Sequence, residues 1–166
     1  MYEVGQKVVY GIHGVCDISA IEVKTIDRQK IAYFVLEPVE QPGTRYYIPK
    51  DKPAALSKLS PLLSRQELED LIASCDPNGS SWIADENQRK LRYRELISSA
   101  DRRSLVVMVH TLHTHKKKQA EQGKKFHLCD DIFLKDAEKL LCSEFSLVLN
   151  MTKEETAAYL KKHFEQ

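Results

Sequence analysis

The apolar positions in the first third of the chain fall in short runs bounded by Gly and Pro, and alternate with polar ones over residues 14–23. Lys7-Val8-Val9-Tyr10 reads as a short strand ended by Gly11, and residues 14–23 as a longer, bent strand. Residues 31–36 form a continuous apolar run, a buried strand. Residues 38–43 are a turn segment, and Thr44-Arg45-Tyr46-Tyr47-Ile48 is a further strand stopped by Pro49. Short strands rich in β-branched and aromatic residues, with Gly and Pro between them, predict a small antiparallel β-barrel. Its core is small enough to need support from the rest of the chain or from a partner.

After Pro49 the period lengthens. Residues 51–59 read as a short helix or helical turn. Ser64-Arg65-Gln66-Glu67 is a capping box that opens a helix through Leu68, Leu71 and Ile72. That helix ends before Asp76-Pro77, the start of the breaker run 76–81. The next helix spans residues 83–98. On its wheel Ile83, Leu91 and Ile97 fall on one side, and Arg89 and Arg92 fall toward the other, facing outward. Asp101 is the expected N-cap of a helix striped by Leu105, Met108, Val109 and Leu112, running to Gln122 and ending at Gly123. Asp130 or Asp131 starts the most strongly patterned helix, with Phe133, Ala137, Leu140, Leu141, Phe145 and Val148 inward. Thr152-Lys153-Glu154-Glu155 opens the last helix, through Ala157, Leu160 and Phe164. The pattern predicts an α+β chain: a barrel domain over residues 1–52, then an all-α domain of about five helices over 53–166.

Composition supports a globular reading, at 42% hydrophobic and 30% charged over 166 residues. No apolar run approaches the roughly 20 residues that span a bilayer. The start, Met1-Tyr2-Glu3-Val4-Gly5, has neither the basic end nor the apolar core of a leader. Cys16, Cys75, Cys129 and Cys142 are scattered, as expected for reduced thiols in the cytoplasm. Charge changes the picture more. Residues 82–125 hold 11 Lys/Arg against 5 Asp/Glu, so the formal net charge of +1 conceals a cationic middle between two mildly acidic flanks. A polyanion contact or a solvated helix face would both produce that asymmetry.

Candidate chemistry is sparse. No nucleophile elbow, phosphate loop or zincin motif is present, so an enzyme is not expected. His13 and Cys16 make a base and a nucleophile on paper, but the adjacent Gly11 and Gly14 are better explained as backbone devices. His110, His113 and His115, with Cys129, form the best metal candidate. Their spacing matches no standard zinc pattern, so exposed helix histidines are expected, and no metal or cofactor. Trp82, the lone tryptophan, follows a polar loop and stands beside cations. Such a ring is either a partly buried core residue or a flat wedge able to enter a DNA minor groove.

Three landmarks in order carry a resemblance to the CarD/CdnL family of bacterial transcription regulators. Val4-Gly5-Gln6-Lys7-Val8-Val9-Tyr10-Gly11-Ile12-His13-Gly14 is similar to the family pattern V-G-D-x-V-V-Y-P-x-H-G, with Gly11 in place of proline. Tyr47-Ile48-Pro49 matches a second landmark. Ser81-Trp82, a basic helix and Ser98-Ser99-Ala100-Asp101 match a third, with Ala100 where the family usually has Gly. The resemblance implies a Tudor-like barrel that binds the β subunit of RNA polymerase, with contacts at Lys24 and Tyr47 and with Arg45 beside them. It implies a helical domain on double-stranded promoter DNA at the upstream edge of the transcription bubble. There Trp82 would be the wedge and Arg89, Lys90 and Arg92 the basic contacts. The barrel also resembles one in transcription–repair coupling factors, although no helicase motif is present. The expected protein is a cytoplasmic, nucleoid-associated monomer with no membrane partner and no small-molecule substrate. The alternative is an adaptor that binds a protein partner and no DNA.

Overall fold

The computed structural model describes residues 1–75 and 82–164, so the breaker run 76–81 lies outside the described residues. The chain forms two compact units, Met1–Leu62 and Leu63–Gln166.

The first unit is a five-stranded antiparallel sheet: β1 (Lys7–Tyr10), β2 (Val15–Ile26), β3 (Gln29–Pro38), β4 (Tyr46–Pro49) and β5 (Leu59–Pro61), in the order β4-β3-β2-β1-β5. A 3-10 turn, Gly11–His13, joins β1 to β2, and it begins with Gly11 at φ 47°. β2 and β3 make a long hairpin whose two-residue turn, Asp27-Arg28, has φ of 50° and 66°. Two successive positive φ values are what a type I′ turn requires to match the twist of its strands. The register slips between Ile18 and Ala20, and the inner part of the sheet buries Val8, Cys16, Ile18, Phe34, Leu36, Ile48 and Leu59. Residues 53–62 join this unit. Helix α1 (Pro53–Leu56) packs Ala55 and Leu56 against the core of the sheet, and β5 pairs with β1. The expected barrel is an open sheet, since its outer strands β4 and β5 do not pair among the described residues. β5 was not expected, since three residues ending in a proline carry almost no strand signal. Both outermost strands of the sheet end on a proline, Pro49 and Pro61.

The second unit holds α2 (Arg65–Ser74), α3 (Glu86–Ser99), α4 (Arg102–Glu121), α5 (Leu128–Leu149) and α6 (Lys153–Phe164). Side-chain caps set four of the starts: Ser64, Asp85, Asp101 and Thr152 accept from the amides of Glu67, Gln88, Ser104 and Glu155. The core is the apolar stripe of α4, Leu105, Val106, Met108, Val109 and Leu112, against Leu134, Ala137, Leu141, Phe145 and Leu149 of α5, with Leu68, Ile72, Tyr93 and Leu160 around them. Glu144, buried on α5, receives Arg102 through two bonds of 2.7 and 2.8 Å and the Leu63 amide at 2.8 Å. It thereby ties the start of the unit to two of its helices.

Helix α3 keeps Ile97 inward and Arg92 outward as its sequence reading expected, but exchanges Arg89 and Leu91. Its inward residues are Arg89 and Tyr93, with Leu96 and Ile97 half-buried, whereas Leu91 is 60% exposed. Spacings of four, seven and eight from residue 89 define a proper helical face. The expectation failed because it assumed that an arginine must point to solvent.

Candidate functional site

The exposed flank of β4 gathers the three residues expected to meet a partner. β4 pairs with β3 on one side and with no other strand among the described residues. Tyr47 pairs with Val35 and Ile48 with Phe34, so alternation places Ile48 in the core and leaves Tyr47 outside at 37% exposure. The Lys24 ammonium lies 3.6 Å from the centre of the Tyr47 ring, and Tyr33 meets that ring edge-on with centroids 6.4 Å apart. Arg45 reaches Glu37 at 3.1 Å, and the Tyr47 hydroxyl and then Glu37 hold its guanidinium more firmly charged. The result is an exposed aromatic platform carrying two cations beside an open strand. It offers backbone hydrogen bonds in a row and side chains that select what pairs with them.

A second cluster surrounds Trp82. The indole is half-buried against the helical core. The His115 ring lies parallel to it, tilted by 5° with centroids 3.6 Å apart, and the Arg89 guanidinium carbon lies 4.5 Å from the indole centroid. Arg89 and Asp130 are 4% and 1% exposed and form a bidentate pair, Nε to Oδ1 at 2.8 Å and Nη2 to Oδ2 at 3.0 Å. Burial, first of all, keeps the His115 imidazole below its ordinary pKa, with Arg89, Lys118 and His127 acting in the same direction and Asp130 against them. Of the basic residues expected to meet DNA, Arg89 is therefore turned inward and spent on a carboxylate. Lys90 and Arg92 are on the surface, where Lys90 pairs with Glu86 at 2.9 Å and Arg92 with Glu95 at 3.5 Å. Exposed pairs of this kind hold weakly, so both cations remain exchangeable toward an outside anion.

Residues 2–60 match the family model described as the CarD-like/TRCF RID domain. The first unit is a CarD-like RID domain. No curated protein matches the chain. The match covers the whole sheet from β1 to the start of β5, including the β4 platform. The RID domain gives the chain a transcription-related, RNA polymerase-binding role.

The matched residues end before the helices of the second unit. His110, His113 and His115 occupy three separate settings. His110 faces the Phe164 carbonyl at 3.4 Å, His113 bonds Glu138 at 2.6 Å, and His115 lies on Trp82. No group of metal-binding side chains converges among the described residues. Within the RID domain itself, burial pushes the Cys16 thiol up to about 11, far from a thiolate at neutral pH. His13 packs instead on Tyr10 and Tyr46. No described helix is long and apolar enough to cross a membrane. The sequence reading missed Asp130 as a partner of Arg89, and it expected exposed histidines on α4, whereas His110 is buried and His113 and His115 are half-buried.

Proposed function

We propose that this chain is a CarD/CdnL-type transcription regulator whose first unit binds the β subunit of RNA polymerase and whose second unit contacts double-stranded promoter DNA at the upstream edge of the bubble. The RID domain match, with the open β4 strand inside it, carries the reading. A strand of the polymerase adds to β4, and the platform of Lys24, Arg45 and Tyr47 selects it. Docking raises the local concentration of the helical unit at the promoter, so modest DNA affinity suffices. Lys90 and Arg92, joined by a neighbour such as the exposed Arg94, hold phosphates without reading sequence. Trp82 lodges by its open edge in the minor groove and favours the melted state. The protein acts by binding rather than catalysis, as a monomer at the nucleoid.

Neutralising about three phosphates gives a slope of roughly −2.7 in log affinity against log salt. If Trp82 favours the open promoter by roughly 1.4 kcal/mol, Trp82→Ala shortens the open-complex lifetime about tenfold. An unchanged lifetime rejects the wedge. Tyr47→Glu weakens capture of the polymerase β subunit while the helices stay folded, and undiminished capture removes β4 from the docking surface. The stacking of His115 on the indole favours one other reading, an adaptor that binds polymerase with Trp82 as a packing residue and no DNA contact. In that case Trp82→Ala lowers stability and leaves promoter lifetimes alone.

A further inference from the structure

We infer that Arg89, Asp130 and His115 are positioning residues that hold the Trp82 ring in its working orientation, and that Arg89 touches no phosphate. This rests on the proposed DNA contact of Trp82. Trp82 stands in a stretch of neither helix nor strand, three residues ahead of the cap Asp85. A side chain in such a place has no regular structure to orient it. Arg89 supplies what is missing. Its Nη1 donates to the carbonyls of Ile83 at 2.9 Å and Ala84 at 3.5 Å, the two residues that follow the tryptophan. Its Nε and Nη2 are taken by the two oxygens of Asp130. All three guanidinium nitrogens are thus engaged inside the unit, and the fork that would clasp a phosphate faces a carboxylate.

The chain from Trp82 to the helix is fixed at its backbone by Arg89, and the ring is fixed at its face by His115. Asp130 fixes Arg89 in turn. An apolar residue at position 89 would fill the space but would leave the two carbonyls and the carboxylate without this donor. That is a directional role for a buried ion pair, which burial alone does not explain. An indole held in this way loses less freedom when it meets DNA, so the clamp strengthens the contact without adding one.

The test uses the full chain, whose single tryptophan reports on its own surroundings. His115→Ala, Asp130→Asn and the double variant Arg89→Met with Asp130→Leu are compared with wild type and with Trp82→Ala, with helix content checked by circular dichroism. Three quantities are read: iodide quenching of the free protein, the salt slope of DNA binding, and open-promoter lifetime with polymerase. The clamp predicts greater quenching in all three variants and lifetimes shorter by about twofold to tenfold. His115→Phe, which restores a flat ring, recovers both. The salt slope of the double variant stays at the wild-type value. A slope shallower by about 0.9 makes Arg89 a phosphate contact and overturns the inference. So do unchanged quenching, wild-type or longer lifetimes in variants that keep their helices, or failure of His115→Phe to recover them. If Trp82→Ala itself leaves lifetime unchanged, the wedge and the clamp's role in it fall together. If Trp82→Ala shortens lifetime and the clamp variants do not, the clamp alone falls.

Discussion

At position 100 the chain holds an alanine in a conformation that suits glycine. Ala100 closes α3 at φ 51°, in the left-handed region, where a Cβ costs roughly 1–2 kcal/mol. The related pattern usually has Gly there, and the geometry gives the reason. Ala100→Gly is expected to stabilise the protein by about 0.5–1 kcal/mol, the strain relieved less the extra freedom of an unfolded glycine, seen as a higher urea midpoint. Gly11 is the converse case. It replaces the pattern's proline at φ 47°, which proline's ring, fixed near −65°, cannot reach. The 3-10 turn of this chain is thus built on glycine's freedom. These two positions were legible as departures from a pattern, and their meaning needed the dihedral angles. Arg89 was legible only as a charge. Its partner lies 41 residues away in sequence, so no local periodicity could report that it faces inward, and Leu91 was assigned to the core in its stead.

The elements were easier to read than their faces. Short apolar or alternating runs bounded by Gly and Pro located β1 to β4, and the hydroxyl-or-carboxylate caps located the starts of α2, α4 and α6, because both signals reside in neighbouring residues. Ser64 and Glu67 form the expected box, with the Glu67 amide 3.1 Å from the serine oxygen and the Ser64 amide 2.7 Å from the carboxylate. Ser64→Ala is expected to cost about 1 kcal/mol of stability, and thermal melting of the intact chain measures it. β5 escaped because its identity comes from β1, not from its own three residues. α5 starts at Leu128, before the expected Asp130 or Asp131. Asp130 looked like a cap, but it is 1% exposed and bonds Arg89, so the carboxylate serves tertiary structure instead.

At the level of the molecule, the order of sheet then helices followed from the change of period, whereas the clusters at Tyr47 and Trp82 came from distant segments that only folding brings together. Acid response belongs to this scale. Burial, chiefly, lowers the pKa of His110 and His115 on α4, so the unfolded chain takes up their protons first. Stability is complete above the unfolded value, about 6.5, and falls as pH drops through it toward the lower folded values. The slope is at most about 1.4 kcal/mol per pH unit for each histidine. Urea midpoints between pH 7 and 5 should fall, and His110→Gln with His115→Gln should flatten the curve. The two prolines that end β4 and β5 bear on a different hazard. A sheet with an open edge strand such as β4 is open to copies of itself, a route to fibrils. Proline has no amide hydrogen to extend a ladder, so each rim is too short a template for runaway stacking.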